Sequence, residues 1–215
     1  MSSKPEAPNS TGLTPKLRFP EFRDAGEWES KKLFEVCNIN PTSTELPESF
    51  VYIDLESVVA GKLLVKKKVC KIDAPSRAQR LLQRGDIIYQ IVRPYQRNNF
   101  FFDIEDTNNY VASTGFAQLR SYSSSRYLYQ VIHADVFVNK VIAKCTGSSY
   151  PAINSSDLAE IILSIPHHLE QQKIADCLSS LDDLITAQAQ KLEALKTHKK
   201  GLMQQLFPDM GEVEA

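Results

Sequence analysis

The residues with the most obvious chemistry lie between positions 61 and 100. There Lys62, Lys66, Lys67, Lys68, Lys71, Arg77, Arg80, Arg84, Arg93 and Arg97 face only Asp73 and Asp86. That is ten cations to two acids, a net +8 in a chain whose total is −1. A localised block of this kind is the electrostatic footprint of a nucleic-acid surface. Two chemistries separate within it. Lys66, Lys67 and Lys68 are consecutive, so on a strand they alternate between faces, which suits phosphate neutralisation better than base reading. Arg77, Arg93 and Arg97 sit beside Pro75, Pro94 and Tyr95, residues that mark exposed turns. Arginine can make a bidentate contact to O6 and N7 of guanine, and asparagine can do the same for adenine. The stretch IVRPYQRNN (91–99) therefore offers both kinds of donor, in Arg93, Gln96, Arg97, Asn98 and Asn99. Each of these residues taken singly also reads as ordinary solvated loop.

Other chemistries are poorly served. All eight glycines lie at least ten residues apart, so no G-x-G or Walker loop exists to cradle a nucleotide or S-adenosylmethionine. No Asn-Pro-Pro-Tyr or Asp-Pro-Pro-Tyr stretch is present to hold a flipped base. CTGSSYP places serines in a Gly-containing loop but lacks a G-x-S-x-G elbow and a histidine relay. Glu29-Ser30-Lys31 resembles half of a nuclease metal site, a tripeptide common by chance. Cys37, Cys70, Cys145 and Cys177 are isolated, as expected of reduced thiols in a cytoplasmic protein, and no His/Cys spacing suits zinc. No apolar run approaches the roughly 18 residues needed to span a bilayer. The polar start, MSSKPEAPNSTG, does not read as a signal peptide. The chain reads as a binding protein.

The elements that must position the basic block follow from periodicity. SFVYIDL, KLLVKKKVCKI, GDIIYQIV, NNFFFDI and GFAQLR are strand-length β-branched or aromatic runs broken by Gly, Pro, Asn and Ser. One helix is expected over SSRYLYQVIHADVFVNKVIAK, capped by Ser123, Ser124 or Ser125, and AEIILSIP is expected as the last strand. The fold class expected is α+β, with a flexible tail over 1–14 and a domain over 15–166 that carries the nucleic-acid-binding block. A long helix is expected over 167–207, followed by a tail over 208–215. Within that helix, alternate steps of four and three give Ile174, Leu178, Leu181, Ile185, Gln188, Leu192, Leu195, Lys199, Leu202 and Leu206, of which eight of ten are apolar. This narrow 3.5-residue seam matches a coiled coil. A helix of roughly 37 residues extends about 55 Å, longer than the domain it leaves. Either it folds back on its own domain, or the seam takes a partner helix from a second copy or another subunit.

Taken in order, KLRFPEF and EWESKKL, APSRAQRLLQRGDIIYQIVRPYQRN, VASTGFAQLR, TGSSYPAINSSDLAEIILSIP, LEQQKIADCLSSLDDLI and HKKGLMQQLFP closely resemble the specificity (S) subunit of type I restriction-modification systems. The resemblance covers nearly the whole chain after the tail. It implies an HsdS-like fold: an α/β-type target-recognition domain with a twisted, mostly antiparallel sheet, then a long coiled-coil helix. It implies a non-catalytic subunit that reads double-stranded DNA and positions a methyltransferase (M) subunit, and indirectly an endonuclease (R) subunit. S-adenosylmethionine, ATP and magnesium are then expected only on those partners. The DNA-contacting set becomes Lys66, Lys67, Lys68, Arg77, Arg80, Arg93, Tyr95, Gln96, Arg97, Asn98, Asn99, Ser113, Thr114, Ser148, Ser149 and Tyr150. Members of the family typically hold two recognition domains and two long helices, where this sequence has one of each. Two copies pairing their helices antiparallel would form a homodimer that reads a divided palindrome, with domains up to roughly 16 base pairs apart. An alternative is a module that pairs with another S subunit and alters or inhibits it.

Overall fold

The computed structural model describes residues 13–42, 45–147 and 149–207. The tails expected over 1–14 and 208–215 fall outside these residues except for Leu13 and Thr14, as does Ser148. In chain order the elements are β1 (Glu29–Lys32), α1 (Leu33–Val36), β2 (Cys37–Ile39), β3 (Ser49–Ile53), β4 (Val58–Val59), β5 (Lys62–Leu63) and β6 (Lys67–Cys70). Next come β7 (Ala78–Leu81), β8 (Ile87–Gln90), β9 (Phe100–Phe101), β10 (Tyr110–Ser113) and β11 (Phe116–Ser121). The chain continues with α2 (Ser125–Val131), α3 (Asp135–Lys144), α4 (Ser155–Ala159), β12 (Ile162–Ile165) and α5 (His168–Leu206).

This is the mixed α+β fold, with its long C-terminal helix, that the sequence predicts. The strands form two four-stranded sheets, ordered β6-β3-β10-β7 and β2-β11-β8-β9, with a β1–β12 pair and a β4–β5 hairpin. Among the described residues every pairing is antiparallel except β10 with β3. The division into two sheets arises at Thr114–Gly115, where the chain leaves β10 and enters β11 in the other sheet. A Cβ at Gly115 would lie 3.0 Å from the Leu55 side chain, which would have to shift by a few tenths of an ångström to admit it.

Burial explains the strand sequences. The runs in β8, β10 and β11 are buried along most of their length, so they read as nearly continuous apolar stretches rather than alternating ones. In β3 the two-residue period is visible. Val51 and Ile53 join a core cluster with Ile88, Phe100, Phe102 and Phe116, while Phe50 and Tyr52 join another with Ala78 and Val111. One carboxylate, Asp86, is buried beside this core and is fully engaged. Arg120 donates to it through Nε (2.8 Å) and Nη2 (2.9 Å), Gln118 through Nε2 (2.7 Å) and Gln83 through its backbone N–H (2.7 Å). Such pairing is what makes a buried charge tolerable.

The single helix expected over 124–144 is two helices. Ser124 caps α2 by accepting from the Tyr127 N–H (3.2 Å). The break falls at 132–134, where Ala134 is extended and the His133 carbonyl accepts from Arg97. A tertiary bond thus overrides the local helical pattern.

The chain divides into two compact units, one ending at Lys173 and the other beginning at Ile174. In the first, Arg18 donates to the Glu170 carboxylate through Nε (2.8 Å) and Nη2 (2.7 Å), so Arg18 is tied to the first turn of α5. That bond raises the Arg18 pKa. In the second unit α5 runs unbroken to Leu206, and Leu178, Leu181, Ile185, Leu192, Leu195, Leu202 and Leu206 are all exposed. Among the described residues no helix is long and apolar enough to cross a membrane.

Candidate nucleic-acid interface

Strand direction collects most of the predicted residues at one end of the first unit. In the first sheet, Lys67 opens β6 opposite Tyr52, and Ile53 at the end of β3 lies beside Ala112. Arg77 immediately precedes β7, and its carbonyl accepts from the Thr114 N–H (2.9 Å). In the second sheet the 91–99 loop connects the end of β8 to the start of β9. The two sheets meet at this end, because the Ile91 N–H donates to the Gly115 carbonyl (3.1 Å).

Two further segments join the loop. The Arg93 N–H donates to the Pro151 carbonyl (2.7 Å), and Val92 pairs with Ala152, which brings the 146–152 segment alongside. The Ala60 N–H donates to Asn98 Oδ1 (3.1 Å), which brings in the β4–β5 hairpin. Ala60 and Gly61 both have positive φ, 47° and 76°, the geometry of a two-residue type I′ hairpin turn. A Cβ at Gly61 would lie 2.8 Å from the Tyr129 hydroxyl.

The loop itself is tightly specified. Arg93 and Arg97 both adopt left-handed backbone, with φ of 55° and 54°, on either side of a 3-10 turn over Pro94–Gln96. Left-handed backbone is costly for residues with a Cβ and persists only where neighbours over-determine it. Gln90, 3% exposed, supplies that determination. Its Nε2 donates to the Val92 carbonyl (2.7 Å) and Gln96 Oε1 (2.9 Å), and its Oε1 accepts from the Asn98 N–H (3.3 Å). Its own N–H donates to Asn99 Oδ1 (2.9 Å).

These bonds sort the predicted residues. Gln96, Asn98 and Asn99 direct polar groups into the fold, and Asn99 is buried. Arg97 donates to the His133 carbonyl (3.1 Å) and to Asp135 Oδ1 (2.6 Å), at the start of α3. Tyr95 is 51% exposed and Tyr150 is 65% exposed. The Arg93 guanidinium lies 4.2 Å from the centroid of the Tyr150 ring. Ser149 is exposed beside it. Ser113 is buried, with its hydroxyl accepting from the Gly115 N–H (3.2 Å), and Thr114 is half-buried.

Among the lysines, Lys67 and Lys68 are exposed on β6, an edge strand. Lys66 lies 3.6 Å from Asp106 and over the Tyr110 ring, and its bond to the Tyr110 hydroxyl raises its pKa. Arg80 pairs with Ala112 in the row of Ile53, nearer this end than Lys67 opposite Tyr52 or Lys68 opposite Val51. Its Nε is buried with no partner among the described residues, and burial lowers its pKa. Lys62, beside the hairpin turn, was missed as a contact candidate. Its sequence signal is the Ala-Gly turn between Val58–Val59 and Lys62–Leu63. Gln90 was missed because an apolar run hides a buried polar residue.

Glu29 and Lys31 are bonded to each other at 2.6 Å. Among the described residues no group of three or more His, Cys, Asp and Glu side chains is placed to hold a metal ion.

Over residues 25–197 the sequence matches the family of the type I restriction modification DNA specificity domain. The chain belongs to this family. It is 28% identical over 170 residues to the HindI specificity subunit of Haemophilus influenzae, covering 77% of this chain and 37% of that protein. With the MjaVIII specificity subunit of Methanocaldococcus jannaschii it shares 25% over 193 residues, covering 84% of this chain and 45% of the relative. The crystal structure of the HsdS subunit from Thermoanaerobacter tengcongensis superposes with a TM-score of 0.64 at 27% identity, covering 87% of this chain and 51% of that one. The motif resemblance to S subunits is thereby borne out. This chain spans about half the length, or less, of these specificity subunits.

Proposed function

We propose that this chain is a non-catalytic DNA-sequence-recognition component of a type I restriction-modification complex. The carrying observation is the family match over 25–197, which includes the whole basic end formed by the 58–63, 91–99 and 146–152 segments. In this reading the end of the two sheets docks on duplex DNA. Lys62, Lys67 and Lys68 neutralise phosphate, and the 91–99 loop lies against base edges. The methyltransferase subunit, and through it the endonuclease subunit, are positioned by this chain and carry S-adenosylmethionine, ATP and magnesium.

The exposed seam of α5 supports a homodimer of antiparallel helices that reads a palindromic split site. Light scattering of the full chain, alone and with duplex DNA, tests this. The expected mass is that of two chains, rising further on DNA. A monomer at micromolar concentration that binds no duplex overturns the reading.

The chain's half-length against its relatives also favours a second reading, in which α5 pairs with the helix of another S subunit and alters its specificity. Pull-down against a two-domain S subunit, lost with Leu181→Glu or Leu192→Glu, would favour it. Catalysis by Glu29 and Lys31 predicts magnesium-dependent cleavage by the isolated chain, and none is expected.

A further inference from the structure

The geometry points to Arg93 as the specificity-determining side chain of the basic end, reading a guanine in the major groove, with Tyr150 as its positioning residue. This rests on the DNA-recognition reading above and names the ligand of one side chain within it.

The loop has already committed most of its polar groups. Gln96, Arg97, Asn98 and Asn99 each spend polar groups inside the fold, at 2.6–3.3 Å. Asn99 is buried, and Gln96 and Asn98 have their amide oxygens engaged, so neither can offer the paired donor and acceptor that reads adenine without breaking a bond. Arg97 is a brace between the loop and α3. Arg93 has no ion pair among the described residues, and its guanidinium is held differently. Its Cζ lies over the ring of Tyr150, 4.2 Å from the centroid, and its backbone is pinned by the bond from Arg93 N–H to the Pro151 carbonyl (2.7 Å).

A cation–π contact holds a guanidinium at a ring but consumes none of its five in-plane N–H donors. The result is a held fork whose donors are uncommitted among the described residues. A phosphate contact needs only a positive charge, and the exposed Lys62, Lys67 and Lys68 supply that at the same end. A fork with its paired donors uncommitted matches the adjacent O6 and N7 acceptors of guanine, which no other base displays in the major groove.

The test uses the full chain. Its preferred duplex is selected from a randomised pool, and each guanine of that site is then replaced singly by 7-deazaguanine, which lacks the N7 acceptor. At one position the wild-type Kd should weaken about tenfold. Arg93→Lys, which keeps the charge and loses the fork, should be indifferent to the base at that position while binding unrelated duplex as the wild type does. Tyr150→Ala should lose the same preference, and Tyr150→Phe, which keeps the ring, should restore it.

Insensitivity of the wild type to every 7-deazaguanine overturns the proposal without relying on any variant. So does a loss of affinity with Arg93→Lys that is equal for all sequences, the signature of a phosphate contact. A wild-type chain that selects no sequence at all overturns the DNA-recognition reading beneath it, and the proposal with it.

Discussion

Four cysteines sit in different surroundings, and their reactivity follows from burial. Cys37 is buried in β2, donates through Sγ to the Leu33 carbonyl (3.4 Å), and its thiol is pushed up to about 12 by desolvation. Only the thiolate attacks an alkylating reagent, so Cys37 should stay unmodified in native protein near neutral pH. Cys70 and Cys177 are exposed and should react at once. Mass spectrometry after a maleimide pulse checks this, and native labelling of Cys37 would contradict its burial. Asp86 sets a second residue-scale expectation. Arg120→Met removes the bidentate partner of a buried carboxylate and should cost about 3 kcal/mol, at the lower end for buried pairs because Arg120 is partly solvated. Replacing both partners together should cost less than Arg120→Met alone, since no charge is then stranded. Denaturant melts of the two variants measure the difference.

At the scale of elements, the 91–99 loop depends on β8 through Gln90. Gln90→Leu removes the partners of Val92, Gln96 and Asn98 at once while keeping the volume. The expected cost is about 1–3 kcal/mol, with faster hydrogen exchange at the Asn98 amide. Unchanged protection at Asn98 would show that the loop holds itself. This dependence was not legible in the sequence. The strand runs around the loop were, because apolar β-branched and aromatic residues bounded by Gly and Asn have few alternatives. The bonds that turn Asn98, Asn99 and Arg97 inward were not, because they join residues as distant as Ala60 and Asp135. Neither was the split between α2 and α3, which Arg97 itself helps to set. KLLVKKKVCKI reads as one strand for the same reason. The Leu64 N–H donates to the Ser57 carbonyl (2.8 Å), and the chain forms β5 and β6 separately. Arg93 and Tyr150 were both visible as candidates, but their stacking required the pairing of Val92 with Ala152.

For the whole molecule, the seam of α5 was the most legible feature, since a 3.5-residue period over many turns needs no tertiary information. The apolar surface is broader than that seam, because Leu184, Met203 and Phe207 are exposed as well. Leu181→Glu should halve the mass of a homodimer in sedimentation and leave the melting of the first unit unchanged. Retention of the dimer would place the pairing surface elsewhere. The first unit is closed by β1 against β12, with Glu29 opposite Ile165 and Lys32 opposite Ile162. During synthesis, the first of these strands therefore emerges long before its mate. At about 5–20 residues per second, the wait is on the order of ten seconds. Throughout that interval Glu29–Lys32 has no ladder partner, and the Arg18–Glu170 bond cannot form until still later. Closure of the unit is thus timed by the ribosome, and a chain released before Ile162 would leave that strand without its partner.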